Sequence, residues 1–156
     1  MKILIGVDDS PHSRAAVEFV RKMTWPANSS ILVLSVMRPA VPIYAETYVP
    51  APTYLAEMSE ESKRFHQETA SGAERELQTT GLKTEARILH GDPRTALVEA
   101  ARTERADLVV MGSHGRTGMA KLLMGSVASH VVAHAPCTVM VVKLRPRDAA
   151  GPTGRE

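Results

Sequence analysis

Five apolar runs punctuate the chain: Lys2–Val7, Ile31–Met37, a weaker Thr84–Leu89, Leu108–Met111 and Thr138–Val142. Most are apolar at nearly every position and rich in β-branched residues. That pattern suits strands covered on both faces rather than half-exposed ones. Between them lie segments of helical periodicity, so the order is strand, helix, strand. This predicts βαβ units and a mainly parallel sheet, hence the α/β class.

The helices announce their starts. Ser10-Pro11 and Asp92-Pro93 each place a capping side chain before a proline suited to the first helical position. After the first, Ala16, Phe19, Val20 and Met23 recur at helical spacing, and Trp25-Pro26 ends the element. After the second come Ala96, Leu97, Ala100 and Ala101. A longer, polar helix is expected from about Tyr54 to Thr80, closed by Gly81 and irregular near Gly72. The proline-rich stretch Arg38–Thr53 reads as a long loop, either a lid or disordered. Arg145–Glu156 reads as a disordered tail after a single domain spanning residues 1–144.

Composition narrows the picture. At 156 residues the chain can bury roughly 70% of its unfolded surface without cross-links. Aromatics are only 4%, so the core must be aliphatic. A formal net charge of +2 does not argue for a nucleic-acid partner. The single cysteine, Cys137, allows no intramolecular disulfide and is expected to be a buried thiol. The apolar run at the N-terminus meets Asp8-Asp9 too soon for a signal-peptide core, and no stretch approaches the roughly 20 apolar residues of a membrane span. A cytoplasmic protein is the expectation.

The chemistry concentrates in Met111–Val132, MGSHGRTGMAKLLMGSVASHVV. An apolar strand runs into a loop holding Gly112, Gly115 and Gly118. A short turn is expected over about 119–124, followed by a helix capped near Ser126. Glycines let a backbone approach a ligand closely, and loop amides plus a helix N-terminus attract anions. Phosphate binding is one reading; ordinary turn glycines are the other. The segment is no P-loop, lacking a Gly-Lys-Ser/Thr ending, and it does not fit dinucleotide-fingerprint spacing.

The spacing Gly112-x2-Gly115-x9-Gly125-Ser126 resembles the ATP-binding signature of the universal stress protein family. The likeness extends to Val7-Asp8-Asp9-Ser10, the Gly91-Asp92-Pro93 turn, Ala106–Gly112 and Ala135–Val142. It implies a three-layer α/β sandwich with five parallel strands in order 3-2-1-4-5 and helices on both faces. By this resemblance, Asp8 and the backbone of Val36 would lie near adenosine, Met111 and Gly112 by the ribose, and Val7 and Arg116 would belong to the same nucleotide-binding set. Gly115, Gly125, Ser126 and Val127 would hold the phosphates of ATP, with Mg2+ or Mn2+ accompanying it. The family also implies a homodimer through Thr138–Val142, where pairing would remove an exposed apolar edge.

Other residues stay open or bland on sequence. Asp8-Asp9 reads as one ligand-facing and one solvated carboxylate rather than a metal pair. His114 and Arg116 either touch the terminal phosphate or point to solvent. Lys121 reads as solvated. His130 and His134 share a helical face, but no third zinc ligand is evident. No nucleophile–base–orienter set appears, so catalytic residues are not expected and hydrolysis would be slow at most. The leading function is an ATP-responsive regulatory module in stress response, acting on an unidentified protein partner. The alternatives are a slow ATPase on the same fold and a nucleotide-free interaction or chaperone-like dimer.

Overall fold

The apolar runs become a parallel sheet because both of their faces are covered. In the computed structural model, which describes residues 1–39, 52–116 and 124–144, the strands are β1 (Lys2–Gly6), β2 (Ser30–Met37), β3 (Lys83–His90), β4 (Leu108–Gly112) and β5 (Thr138–Val142). Their order is β3-β2-β1-β4-β5, and every pairing is parallel. Four helices connect them: α1 (Pro11–Lys22), α2 (Pro52–Gln78), α3 (Pro93–Thr103) and α4 (Ser126–His134).

Strand pleating divides the core in two. Ile3, Ile5, Ile31, Val33 and Val110 point toward α1 and α2, meeting Ala16, Val17, Val20, Ala70 and Leu77. Leu4, Leu32, Leu34, Val109 and Met111 point the other way, meeting Leu97, Val98, Ala101, Ala128 and Val131 of α3 and α4. Ile3, Leu4 and Ile5 are wholly inaccessible. Burying each large aliphatic side chain is worth about 1.5–3 kcal/mol, so this central strand anchors both layers.

Local details differ from the sequence-based expectation in instructive ways. In α1, Val17 takes the buried position, while Phe19 and Met23 remain 36% and 43% exposed. The sheet contacts a narrower stripe than the apolar spacing suggests. In α2 the helix runs unbroken through Gly72, because Ala70, Ala73 and Leu77 seat it on the sheet. Packing overrides the roughly 1 kcal/mol cost of a helical glycine. Cys137 is half-buried rather than buried. The edge strand β3 alternates exposed and half-buried residues, whereas β5 is half-buried from Val139 to Val142. Residues 40–51 of the proline-rich segment, residues 117–123 (which include Gly118 and Lys121) and the tail from 145 lie outside the described residues.

Candidate functional site

The site forms where the connections from the sheet diverge. β1 leads to α1 on one face and β4 leads to α4 on the other, and the gap above their carboxyl ends is the switch point where open α/β sheets bind ligands. A cleft of about 580 Å3 opens there. All ten residues singled out from the sequence line it: Val7, Asp8, Val36, Met111, Gly112, Gly115, Arg116, Gly125, Ser126 and Val127.

The β1–α1 turn is tied in place by short polar side chains. The Asp8 carboxylate accepts from the Ser10 amide at 3.0 Å, and the Asp8 amide donates to Ser13 Oγ at 3.0 Å. Ser10 Oγ caps α1 by accepting from the Ser13 amide at 3.1 Å, and it donates to the His114 carbonyl at 3.4 Å. One hydroxyl therefore joins the first turn of α1 to the loop after β4.

That loop passes so close to its neighbours that side chains would not fit. A Cβ on Gly112 would sit 2.6 Å from the His12 carbonyl carbon, and one on Gly115 would sit 2.9 Å from Asp8 Oδ2. The Gly125 amide donates to the Ser113 carbonyl at 2.8 Å, bringing the start of α4 back against the loop. The sequence suggested a cap near Ser126. Instead Gly125 is the N-cap, with no side-chain capping bond, and Ser126 is the first helical residue. A glycine contributes no oxygen, so the first amides of α4 lack the side-chain acceptor that a Ser or Asp cap supplies.

Around this cradle the walls differ in character. Leu34, Val36 and Leu97 provide apolar surface, and Ser62 and His66 of α2 close the opposite side. Arg116 pairs with Asp9 at 3.5 Å and lies 5.4 Å from the Phe65 ring centre. It lines the cleft while its side chain stays 56% exposed. Ser113, buried, bridges His12 Nδ1 at 3.2 Å and His114 Nδ1 at 3.1 Å. Burial, then the neighbouring His114, hold the His12 imidazole below its ordinary pKa, against the pull of Asp8. Burial, then Arg116, hold His66 down as well.

Sequence reasoning missed Ser13, Arg38, Ser62, His66, Pro93 and Leu97 as lining residues. A signal for His66 existed. Residues 66, 70, 73 and 77 repeat at helical spacing, and all four are buried. In the histidine pair His130/His134 the rings stack at 4.1 Å, and His134 Nδ1 donates to the His130 carbonyl. Among the described residues no cluster of three metal-ligating side chains occurs.

Fold and cleft together define a doubly wound α/β protein with a glycine-walled cleft at its switch point. The universal stress protein family model matches residues 1–143, and the chain belongs to that family. It is 33% identical over 144 residues to a Thermus aquaticus protein described as a universal stress protein in a QAH/OAS sulfhydrylase 3' region, covering 90% of this chain and 97% of that one. Its fold is similar to that of hypothetical protein MJ0577, with a TM-score of 0.80, 26% identity, and 93% and 96% of the two chains covered. It is also similar to a universal stress protein solved in complex with cAMP, with a TM-score of 0.58, 27% identity, and 91% and 95% covered. Among the described residues no helix is long and apolar enough to cross a membrane.

Proposed function

We propose that the cleft binds an adenine nucleotide, with ATP as the working ligand, and that occupancy acts as a conformational or oligomeric switch in stress response. The observation that carries this reading is the convergence of Gly112, Gly115 and Gly125 on an α4 N-terminus without a side-chain cap. Such a backbone surface suits phosphate oxygens: amides donate, the helix end is partially positive, and no side chain intrudes. The apolar wall at Leu34, Val36 and Leu97 suits a base, and the volume falls in the usual range for small-molecule sites. The similar protein solved with cAMP supports an adenine ligand.

A divalent ion fits this site as a companion of the phosphates. Asp8 is the carboxylate of the cleft wall, and magnesium is commonly held by one or two carboxylates plus substrate phosphates. When bound, the ion would neutralise phosphate charge. The chain's own residues position the ligand: backbone amides hold its phosphates, and Asp8 is held by the Ser10 amide. We further propose binding without rapid turnover, since the sequence offers no nucleophile–base–orienter set.

The homodimer is proposed to form through β5. This edge is apolar from Val139 to Val142, whereas β3 carries exposed Lys83, Glu85 and Arg87. An uncharged edge invites a second strand, and a charged one resists it.

The test is mass spectrometry of small molecules released on denaturing the purified protein, with Gly125→Val as control. ATP in the parent and none in the variant is the expected result. Added ATP with Mg2+ at 100 times its Kd should raise stability by about 2.7 kcal/mol, roughly 5–10 °C in Tm. An empty parent without a thermal shift would overturn the nucleotide reading and favour the interaction-protein alternative. Sedimentation equilibrium with and without ATP tests the switch; one unchanging mass in both states would exclude an oligomeric one.

A further inference from the structure

His66 is not among the residues that the sequence motif suggested, and it lies outside the glycine cradle. It projects from α2 onto β2, where its Nδ1 lies 2.8 Å from Ser35 Oγ. Ser35 is inaccessible to solvent, and His66 is only 9% exposed. The buried hydroxyl has one partner among the described residues, this imidazole nitrogen. Were Nδ1 to carry the proton and donate, the hydroxyl hydrogen would be left without an acceptor, an arrangement that buried polar groups avoid. The satisfied arrangement has Ser35 Oγ–H donating to Nδ1. The neutral ring then carries its proton on Nε2.

Nε2 has no hydrogen-bond partner among the described residues, yet no buried side-chain nitrogen or oxygen goes unpaired there. Nε2 therefore keeps access to open space, and the open space that His66 borders is the cleft and its shallower extension beside Phe65 and Arg116. The histidine presents one N–H donor to the cleft, in a tautomer fixed from behind.

Its place in the sheet indicates what it meets. The glycine cradle follows β4, and Ser35 lies on β2, with β1 between them. Two strand spacings amount to about 9.5 Å. A nucleotide with its phosphates on the cradle would carry its base across β1 toward Val36 and His66. We infer that His66 is a specificity-determining residue whose Nε2–H donates to a ring-nitrogen acceptor of the bound base, with Ser35 as the positioning residue that sets its tautomer. This rests on the nucleotide reading and goes beyond it, because that reading gives the base an apolar wall but no hydrogen-bonding side chain. Burial and the Arg116 charge both favour the neutral ring that such a donor requires.

The experiment has two independent arms. In the first, ATP, its 1-, 3- and 7-deaza analogues and inorganic tripolyphosphate are titrated into the parent and into His66→Phe. Loss of one hydrogen bond in a desolvated cleft should weaken ATP about tenfold in the variant. Tripolyphosphate should be unaffected. One deaza analogue should bind the parent about tenfold more weakly than ATP and be indifferent to the substitution. Equal weakening of ATP and tripolyphosphate, or three analogues that all bind like ATP, would overturn the inference while leaving the nucleotide site intact. A parent that binds no ATP would overturn the nucleotide reading itself. The second arm needs no variant to fold: nitrogen-15 NMR of the ligand-free parent should find the His66 proton on Nε2, moving on ATP addition. In Ser35→Ala the single tautomer should give way to a mixture. A proton found on Nδ1 in the parent would overturn the assignment.

Discussion

Two helices begin beside the same cleft and begin differently. α1 opens with Ser10, whose hydroxyl takes up the Ser13 amide, whereas α4 opens with Gly125, which has no side chain to offer. α3, on the far side of the sheet, follows the α1 pattern: Asp92 accepts from the Arg94 amide at 2.8 Å. The contrast separates two uses of one feature. A helix N-terminus leaves several amides unpaired; a side-chain cap satisfies them locally, while a glycine cap leaves them to a partner from outside. The uncapped helix brings its first three residues, Ser126, Val127 and Ala128, to the cleft, whereas of the first turns of the capped helices Ser13 of α1 and Pro93 of α3 line it.

That comparison can be broken at its foundation, where the two ends meet. Gly112→Ala would place a methyl 2.6–2.7 Å from the His12 backbone, which cannot move without displacing α1. We expect a loss of about 3 kcal/mol, measurable by urea unfolding, and a Tm lower by about 6–12 °C. Unchanged stability would mean that α1 is free to slide over β4.

A milder change sharpens the comparison by making α4 resemble α1. In Gly125→Ser the new hydroxyl would compete with the proposed ligand for the first amides of α4. ATP affinity should fall about tenfold, and Tm should fall by about 2–4 °C, because the new Cβ would lie 3.2 Å from His114 Cα and the Ser113 carbonyl oxygen, at a cost of about 1 kcal/mol that the few tenths gained from a serine cap only partly offset. A titration showing undiminished affinity would mean that those amides do not hold the ligand.

The converse experiment uncaps the closed helix. Ser10→Ala should cost about 1 kcal/mol, and more than Asp92→Ala, since the Ser10 hydroxyl also ties down His114. Denaturant midpoints of both variants would check the order. Reversal would show that the bond to the His114 carbonyl contributes nothing.

The smallest effect is on pH. The His12 imidazole, in the first turn of α1, titrates below its unfolded value of about 6.5. Between the two values the unfolded chain binds more protons, so stability rises with pH there. This contribution is fully present above pH 6.5 and is lost as pH falls toward the folded value; His66 acts in the same direction. The urea midpoint should therefore decline from pH 7.5 to 5.5, less steeply in His12→Gln. Equal slopes in parent and variant would remove His12 from the account.

Much of this architecture was legible beforehand, for definite reasons. β1, β2 and β4 are apolar at almost every position because two layers cover them, a pattern no half-exposed strand needs. Ser10-Pro11 and Asp92-Pro93 marked helix starts because capping and proline geometry are local matters. The cleft glycines were legible through their spacing. The first residue of α4 was not, since Gly125 and Ser126 are both acceptable caps, and the choice depends on the Gly125 amide reaching the Ser113 carbonyl. Phe19 and Met23 fit the α1 periodicity as well as Val17 does; only the crossing of α1 over the sheet decides which of them are covered.

By itself the sequence determined the element types, their alternation and the segment where glycines gather, because these depend on near neighbours and on period. The tertiary structure alone decided that Ser35 and His66, 31 positions apart, share a hydrogen bond at one wall of the cleft. It also decided that Gly112 must be bare against His12, 100 residues earlier. Such contacts arise from strand order and helix crossing, which no local pattern encodes.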